Sequence, residues 1–126
     1  MKIFVISSII IFICLLTGIF LFYYVQNTSM TYTHKIEEIK ALVGKELWEE
    51  ASNELLDLDK KWQDTEKVWK TVIEHAELDN IQKTFASVKE YIREEEKPHS
   101  LAELADLKFF INHILEKEKL NLQNIF

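Results

Sequence analysis

The chain has 126 residues and a net charge of −6, from 21 acidic and 15 basic side chains. That is the length of one domain, and with no basic stripe to neutralise phosphates it excludes nucleic acid as a partner. Two glycines and one proline, against roughly 7 % and 5 % in an average protein, leave few helix breakers and predict an all-α chain.

Residues Ile3 to Val25 carry no charge and are mostly Ile, Phe, Leu and Val. At ~1.5 Å per residue they reach ~34 Å, enough for a bilayer core. Phe22, Tyr23 and Tyr24 close the run as an aromatic interfacial belt does. A cleavable signal peptide is the competing reading, but its apolar core is usually about 7–15 residues long and ends in small residues. No such site follows Leu21, and Phe12-Ile13 before Cys14 are too bulky for a lipidation box. The expectation is an uncleaved signal anchor over residues 1–25, with Cys14 an inert apolar residue in lipid. A lone cysteine makes no intrachain disulfide and does not choose between compartments.

Lys2 lies on one side of the span, and Lys35 and Lys40 follow on the other. The charge bias is weak, and the expected arrangement is single-pass in the cell membrane, amino terminus in, with residues 26–126 as an extracytoplasmic bundle. That part has 14 basic and 21 acidic residues, since only Lys2 precedes it, so its charge is −7. Such acidity argues against docking on anionic lipid.

Tyr32, Ile36, Ile39 and Val43 form a narrow apolar stripe of a helix that follows the span with little interruption. Gly44 stands where a left-handed C-terminal stop is expected. From about Glu46 to Ala76 a heptad column runs through Trp48, Leu55, Trp62, Trp69 and Ala76. A second column of Ala51, Leu58, Thr65 and Val72 lies beside it, on one face of one helix. The apolar phase then shifts to Leu78, Ile81, Phe85, Val88 and Ile92. That implies a turn between about Glu74 and Asn80, with Asp79 and Gln82 resembling a capping pair; a continuous helix with a kink is the alternative.

The next helix covers about Asn80 to Glu95 and is stopped by Pro98. Ser100 and Glu103 form a capping box for a last helix whose apolar line is Leu104, Leu107, Ile111 and Ile114. The tail from Leu120 to Phe126 is apolar enough to be expected folded back across the bundle. The fold class is therefore all-α: an N-terminal transmembrane helix, then an antiparallel bundle of about four helices.

Candidate chemistry is sparse. Tryptophans stack on sugars in some proteins, but at strict heptad spacing they read as core. His75 has Glu77 and Asp79 close by, and His113 could face it across the bundle. These four residues are the candidate ligand or partner junction. No E-x-x-H pair lies in a helix interior and there is no H-E-x-x-H; a structural role at the turn is the simpler reading. No cofactor, metal set or nucleophile arrangement is recognisable, and no enzymatic activity is expected. The leading expectation is a binding or scaffolding module that engages another envelope protein. The alternative is a small-molecule or metal-binding sensor or carrier near His75.

Trp48, Trp62, Trp69, His75-x-Glu77, Ile81, Tyr91-Ile92, Leu104, Leu107 and the closing Leu122-x-Asn124-Ile125-Phe126 together resemble the family called domain of unknown function 4363. The resemblance covers nearly the whole chain and rests on dispersed packing residues. It implies a small bacterial membrane-anchored helical protein without an assigned activity, and it supplies no catalytic residue. It also implies, as a companion, a multi-pass membrane protein of the family called domain of unknown function 421.

Overall fold

The computed structural model describes residues 1–125 as four α-helices, with no strand among the described residues. They are α1 (Lys2–Gly44), α2 (Trp48–Trp69), α3 (His75–Arg93) and α4 (Lys97–Ile125). The apolar span and the first bundle helix are one unbroken element of 43 residues, about 65 Å long at 1.5 Å per residue. Nothing between them interrupts it. Thr28 and Thr31 donate their hydroxyls back to the carbonyls of Tyr24 (2.7 Å) and Asn27 (3.0 Å) instead of breaking the helix. From Ile3 to Phe20 every residue of α1 is exposed. Beyond that Val25, Ser29, Tyr32, Ile36, Ile39 and Val43 are buried, at the three- and four-residue steps of one helical face.

The helix ends depart from expectation in one consistent way. Gly44 is the last helical residue and has no positive φ; the left-handed residue is Glu46, at φ 60°. Its N–H bonds to the Val43 carbonyl and the Leu47 N–H to the Leu42 carbonyl, both at 2.9 Å. This crossed pair is a Schellman stop built on glutamate. α3 ends in the same way on Glu95, at φ 55°, with Glu95 N–H to Ile92 and Glu96 N–H to Tyr91 carbonyls.

α2 stops at Trp69, so the heptad column ends there: Val72 and Ala76 are exposed, and Ile73 takes the core place instead. A turn over residues 70–74 separates it from α3, which rules out the continuous kinked helix. α3 starts at His75 with Glu74 as an extended cap lacking a side-chain bond. The Asp79–Gln82 pair therefore lies inside α3 and caps nothing. The Ser100–Glu103 box fails for the same reason. α4 already begins at Lys97, and the Ser100 N–H bonds to the Glu96 carbonyl at 2.9 Å. Pro98 is the second residue of α4, where its missing N–H loses no intrahelical bond, so it opens a helix more than it stops one.

The expected fold-back of the tail does not occur over the described residues. α4 continues as helix through Leu120, which is exposed, to Ile125. Phe126, and the side chains of Leu122 and Ile125, lie outside the described residues.

The helices alternate in direction and pack in a ring, α1 on α2, α2 on α3, α3 on α4 and α4 back on α1. α2 and α4 are thus diagonal, and the tryptophan helix is flanked by α1 and α3. Trp62 is the centre of the core. Its ring meets Tyr32 edge-on at 6.0 Å and Trp69 edge-on at 5.4 Å, and it stacks on Phe85 at 6.1 Å. Such aromatic pairs each contribute about 0.5–1.5 kcal/mol beyond their buried area. Leu104, Leu107, Ile111 and Ile114, the line read for the last helix, are all buried.

Candidate functional site

α3 and α4 leave a groove of about 220 Å³ between them, lined by Glu77, Asn80, Phe109, Phe110, His113 and Ile114. Glu77 enters it because it sits one position before the core residue Leu78, at the edge of the buried face of α3; its side chain is only 18 % exposed. Lys117, from the facing edge of α4, reaches Glu77 at 3.3 Å and Glu74 at 3.4 Å. Both carboxylates beside it raise the Lys117 pKa, the Glu77 hydrogen bond most of all, so the ammonium stays charged.

His113 Nε2 lies 3.9 Å from Glu77 Oε1, too long for a hydrogen bond. Its ring instead stacks on Phe109, with centroids 5.9 Å apart and planes 15° from parallel. Phe109 in turn meets Phe110 edge-on at 5.9 Å. Phe110 is half-buried against the core, while Phe109 is 63 % exposed.

Of the four expected junction residues, the structure brings together Glu77 and His113. His75 and Asp79 are exposed and do not line the groove. Two residues along a helix is a rotation of about 200°, so Glu77 turned into the groove leaves both neighbours pointing away. Among the described residues no group of three His, Cys, Asp or Glu side chains could hold a metal ion. The metal-carrier alternative thus finds no ligand set at His75.

Phe109, Phe110, Asn80 and Lys117 were not read from the sequence as site residues; Phe110 reads there as widening the apolar line of the last helix and Lys117 as complementing its C-terminal dipole. A signal for Phe109 was present: it is two residues from both Leu107 and Ile111, and so stands opposite the apolar line of its own helix.

A second groove, of about 300 Å³, runs between α1 and α2 past Thr28, Tyr32, Lys35, Leu58, Lys61 and Asp64. Its buried hydroxyls are already engaged. The hydroxyls of Tyr32 and Thr65 are 2.7 Å apart, and Trp69 Nε1 donates to Thr28 Oγ1 at 3.2 Å. Burial pushes the Tyr32 phenol up to about 12, the Thr65 hydrogen bond offsetting only part of it. The phenol therefore stays protonated at physiological pH and is no base. This groove reads as packing.

The outer faces are pinned by ion pairs between helices: Lys108 with Glu37 at 2.9 Å (α4 to α1), Lys35 with Glu54 at 3.8 Å (α1 to α2), and Lys89 with Asp59 (α3 to α2). Exposed pairs of this kind contribute at most about 1 kcal/mol each and serve mainly to favour one register. Part of the acidic run of α2 is thus engaged by its neighbours' lysines rather than free for a partner.

The model of the family described as "Domain of unknown function (DUF4363)" matches residues 19–125. The chain belongs to this family. The DUF4363 match takes in α2, α3, α4 and all of α1 from Ile19 onward, so the family pattern contains the whole packed bundle and the end of the apolar stretch. No curated protein and no solved structure matches the chain. Among the described residues α1 alone is a helix long and apolar enough to cross a membrane.

Proposed function

We propose that the protein is a membrane-anchored, non-enzymatic binding module. In this reading α1 crosses the cell membrane once, amino end in, and the bundle stands outside the cytoplasm and engages another envelope protein through the α3–α4 groove. The observation that carries it is Phe109. A large aromatic side chain, 63 % exposed, stands beside a partly covered carboxylate in a packed bundle whose other described aromatic residues are buried or partly buried. Aromatic side chains are enriched at the centre of protein interfaces.

The anchor is supported by α1 itself. Eighteen consecutive residues, Ile3 to Phe20, are exposed and apolar apart from Ser7, Ser8 and Thr17, whereas the same helix a few turns later has a stripe that is fully buried. Ser7 and Thr17 donate their hydroxyls to the carbonyls of Ile3 and Ile13 at 2.8 Å, as hydroxyls in a lipid-facing helix must. Lipid is the solvent that such a surface fits.

The test is crosslinking in intact membranes with wild type and Phe109→Ala. A defined crosslinked partner that disappears in the variant, while the helical signal is unchanged, is the expected result. No adduct in either protein, including none with itself, would remove the binding reading. Protease access to residues 26–126 in intact cells separately checks the orientation.

A further inference from the structure

The base of the bundle does not stand clear of the apolar part of α1. Gly18, Leu21 and Val25 of α1 face Val72 of the α2–α3 turn and Glu118 and Asn121 of α4 across a cleft of about 170 Å³. The register of the bundle explains why. Trp69 is level with Thr28 through its N–H bond, so the turn that follows lies lower on α1 than Thr28. Likewise Lys108 is level with Glu37, and both helices rise ~1.5 Å per residue in opposite directions. Asn121 is then level with about residue 24 of α1, and Ile125 with about residue 20.

A bilayer hydrocarbon core of ~30 Å takes about 20 residues of helix, and the uncharged run of α1 starts at Ile3. Its upper boundary therefore falls near Phe22. The last turn of α4 and the turn at Val72 are at that level. Apolar side chains are exposed on all three elements there: Phe20 (69 %) and Tyr23 (57 %) on α1, Val72 (39 %) in the turn and Leu120 (59 %) on α4.

We propose that the base of the bundle is seated in the lipid: the Val72 turn and the end of α4 from Glu118 lie in the headgroup and upper acyl region of the bilayer that α1 crosses. The inference rests on the anchored reading above. The occupant of the cleft and of the exposed apolar rim is a phospholipid. The bundle is acidic, so the seat is apolar and independent of anionic lipid. Glu118 fits such a place: burial, then the charge of Glu77, raise its carboxyl above the usual range, with Lys117 pulling the other way. The bundle is consequently held upright against the membrane, and the Phe109 groove, about three turns of α4 above Leu120, is kept at a set height above the lipid.

The test uses full-length protein in phosphatidylcholine vesicles, with and without phosphatidylglycerol. A fluorophore is placed on Cys14 of the wild type, or on a new cysteine at Val72→Cys, Leu120→Cys or Phe109→Cys in a Cys14→Ser background. Quenchers are nitroxides carried by the lipids at the top of the acyl chain or at its end. The expected result is loss of emission at positions 72 and 120 with the shallow quencher in both lipids, loss at Cys14 with the deep one, and none at 109. Emission retained at 72 and 120 while Cys14 is quenched would overturn the seat and leave the anchor standing. Emission retained at Cys14 as well would remove the anchor and the seat together. Quenching at 72 and 120 only with phosphatidylglycerol would replace the apolar seat by charge docking. A disulfide between copies at Leu120→Cys, without quenching, would give this face to a second chain; either outcome overturns the proposal.

Discussion

The Tyr32 hydroxyl of α1 and the Thr65 hydroxyl of α2 are 2.7 Å apart, and both side chains are buried. The pair joins α1 to the tryptophan helix at the level of Trp62, whose ring packs edge-on against Tyr32. A hydrogen bond in this position contributes little net, but losing one partner strands the other. Tyr32→Phe and Thr65→Val should each destabilise by about 1–2 kcal/mol, and the double variant by clearly less than their sum. Thermal unfolding of the four proteins in detergent, followed by tryptophan fluorescence, measures the coupling.

Glutamate in the left-handed region costs more than glycine, by roughly 1 kcal/mol. Glu46→Gly and Glu95→Gly should therefore each stabilise the fold by about 0.5–1 kcal/mol, despite the added freedom of the unfolded chain. Ala in the same places should not stabilise it. Denaturant midpoints of the four single variants check the contrast.

Trp62→Ala removes the side chain at the centre of the aromatic cluster and should cost about 3–5 kcal/mol. Phe109→Ala, on the exposed face of α4, should stay within about 0.5 kcal/mol of wild type. Near-ultraviolet circular dichroism against temperature separates the two. The second result makes Phe109→Ala a clean probe of partner binding.

Glu118 has a raised carboxyl pKa in the folded chain. The folded state therefore holds this proton more tightly than the unfolded state. The associated stability is fully present below the ordinary glutamate range near pKa 4.5 and is lost as pH rises through the raised folded value. Glu118→Gln should abolish this dependence, unfolding at a higher temperature than wild type at neutral pH and converging with it in acid. Melting curves across that interval test the sign.

The candidate site was only half legible. The expectation centred on His75, with Glu77 and Asp79 beside it by closeness in sequence and His113 facing it across the bundle. The groove instead sets Glu77, not His75, across from His113, because α3 and α4 are antiparallel neighbours and place residues 36 positions apart in one groove. On a helix closeness in sequence is a poor guide, since a shift of two residues crosses to the opposite side. Lys117, which holds Glu77, became visible only once the facing helix was in place.

Periodicity by itself determined the four apolar stripes, the burial of Leu55, Trp62 and Trp69, and the break in phase before Leu78, because which face a residue occupies on a helix depends only on its spacing along the chain. The turns were a different matter. Glu46 and Glu95 took the left-handed positions that glycine chemistry would have assigned elsewhere, Val72 and Ala76 dropped out of the heptad, and Asp79 and Ser100 turned out to cap nothing. Each helix ends where the next must start to bring its own stripe onto the common core, and that is decided by packing between helices. The same packing set the depth of α4 against α1. No local pattern records that Glu118 and Asn121 come down to the level of Val25, because the relation exists only after α2 has carried the chain down and α3 has carried it back up.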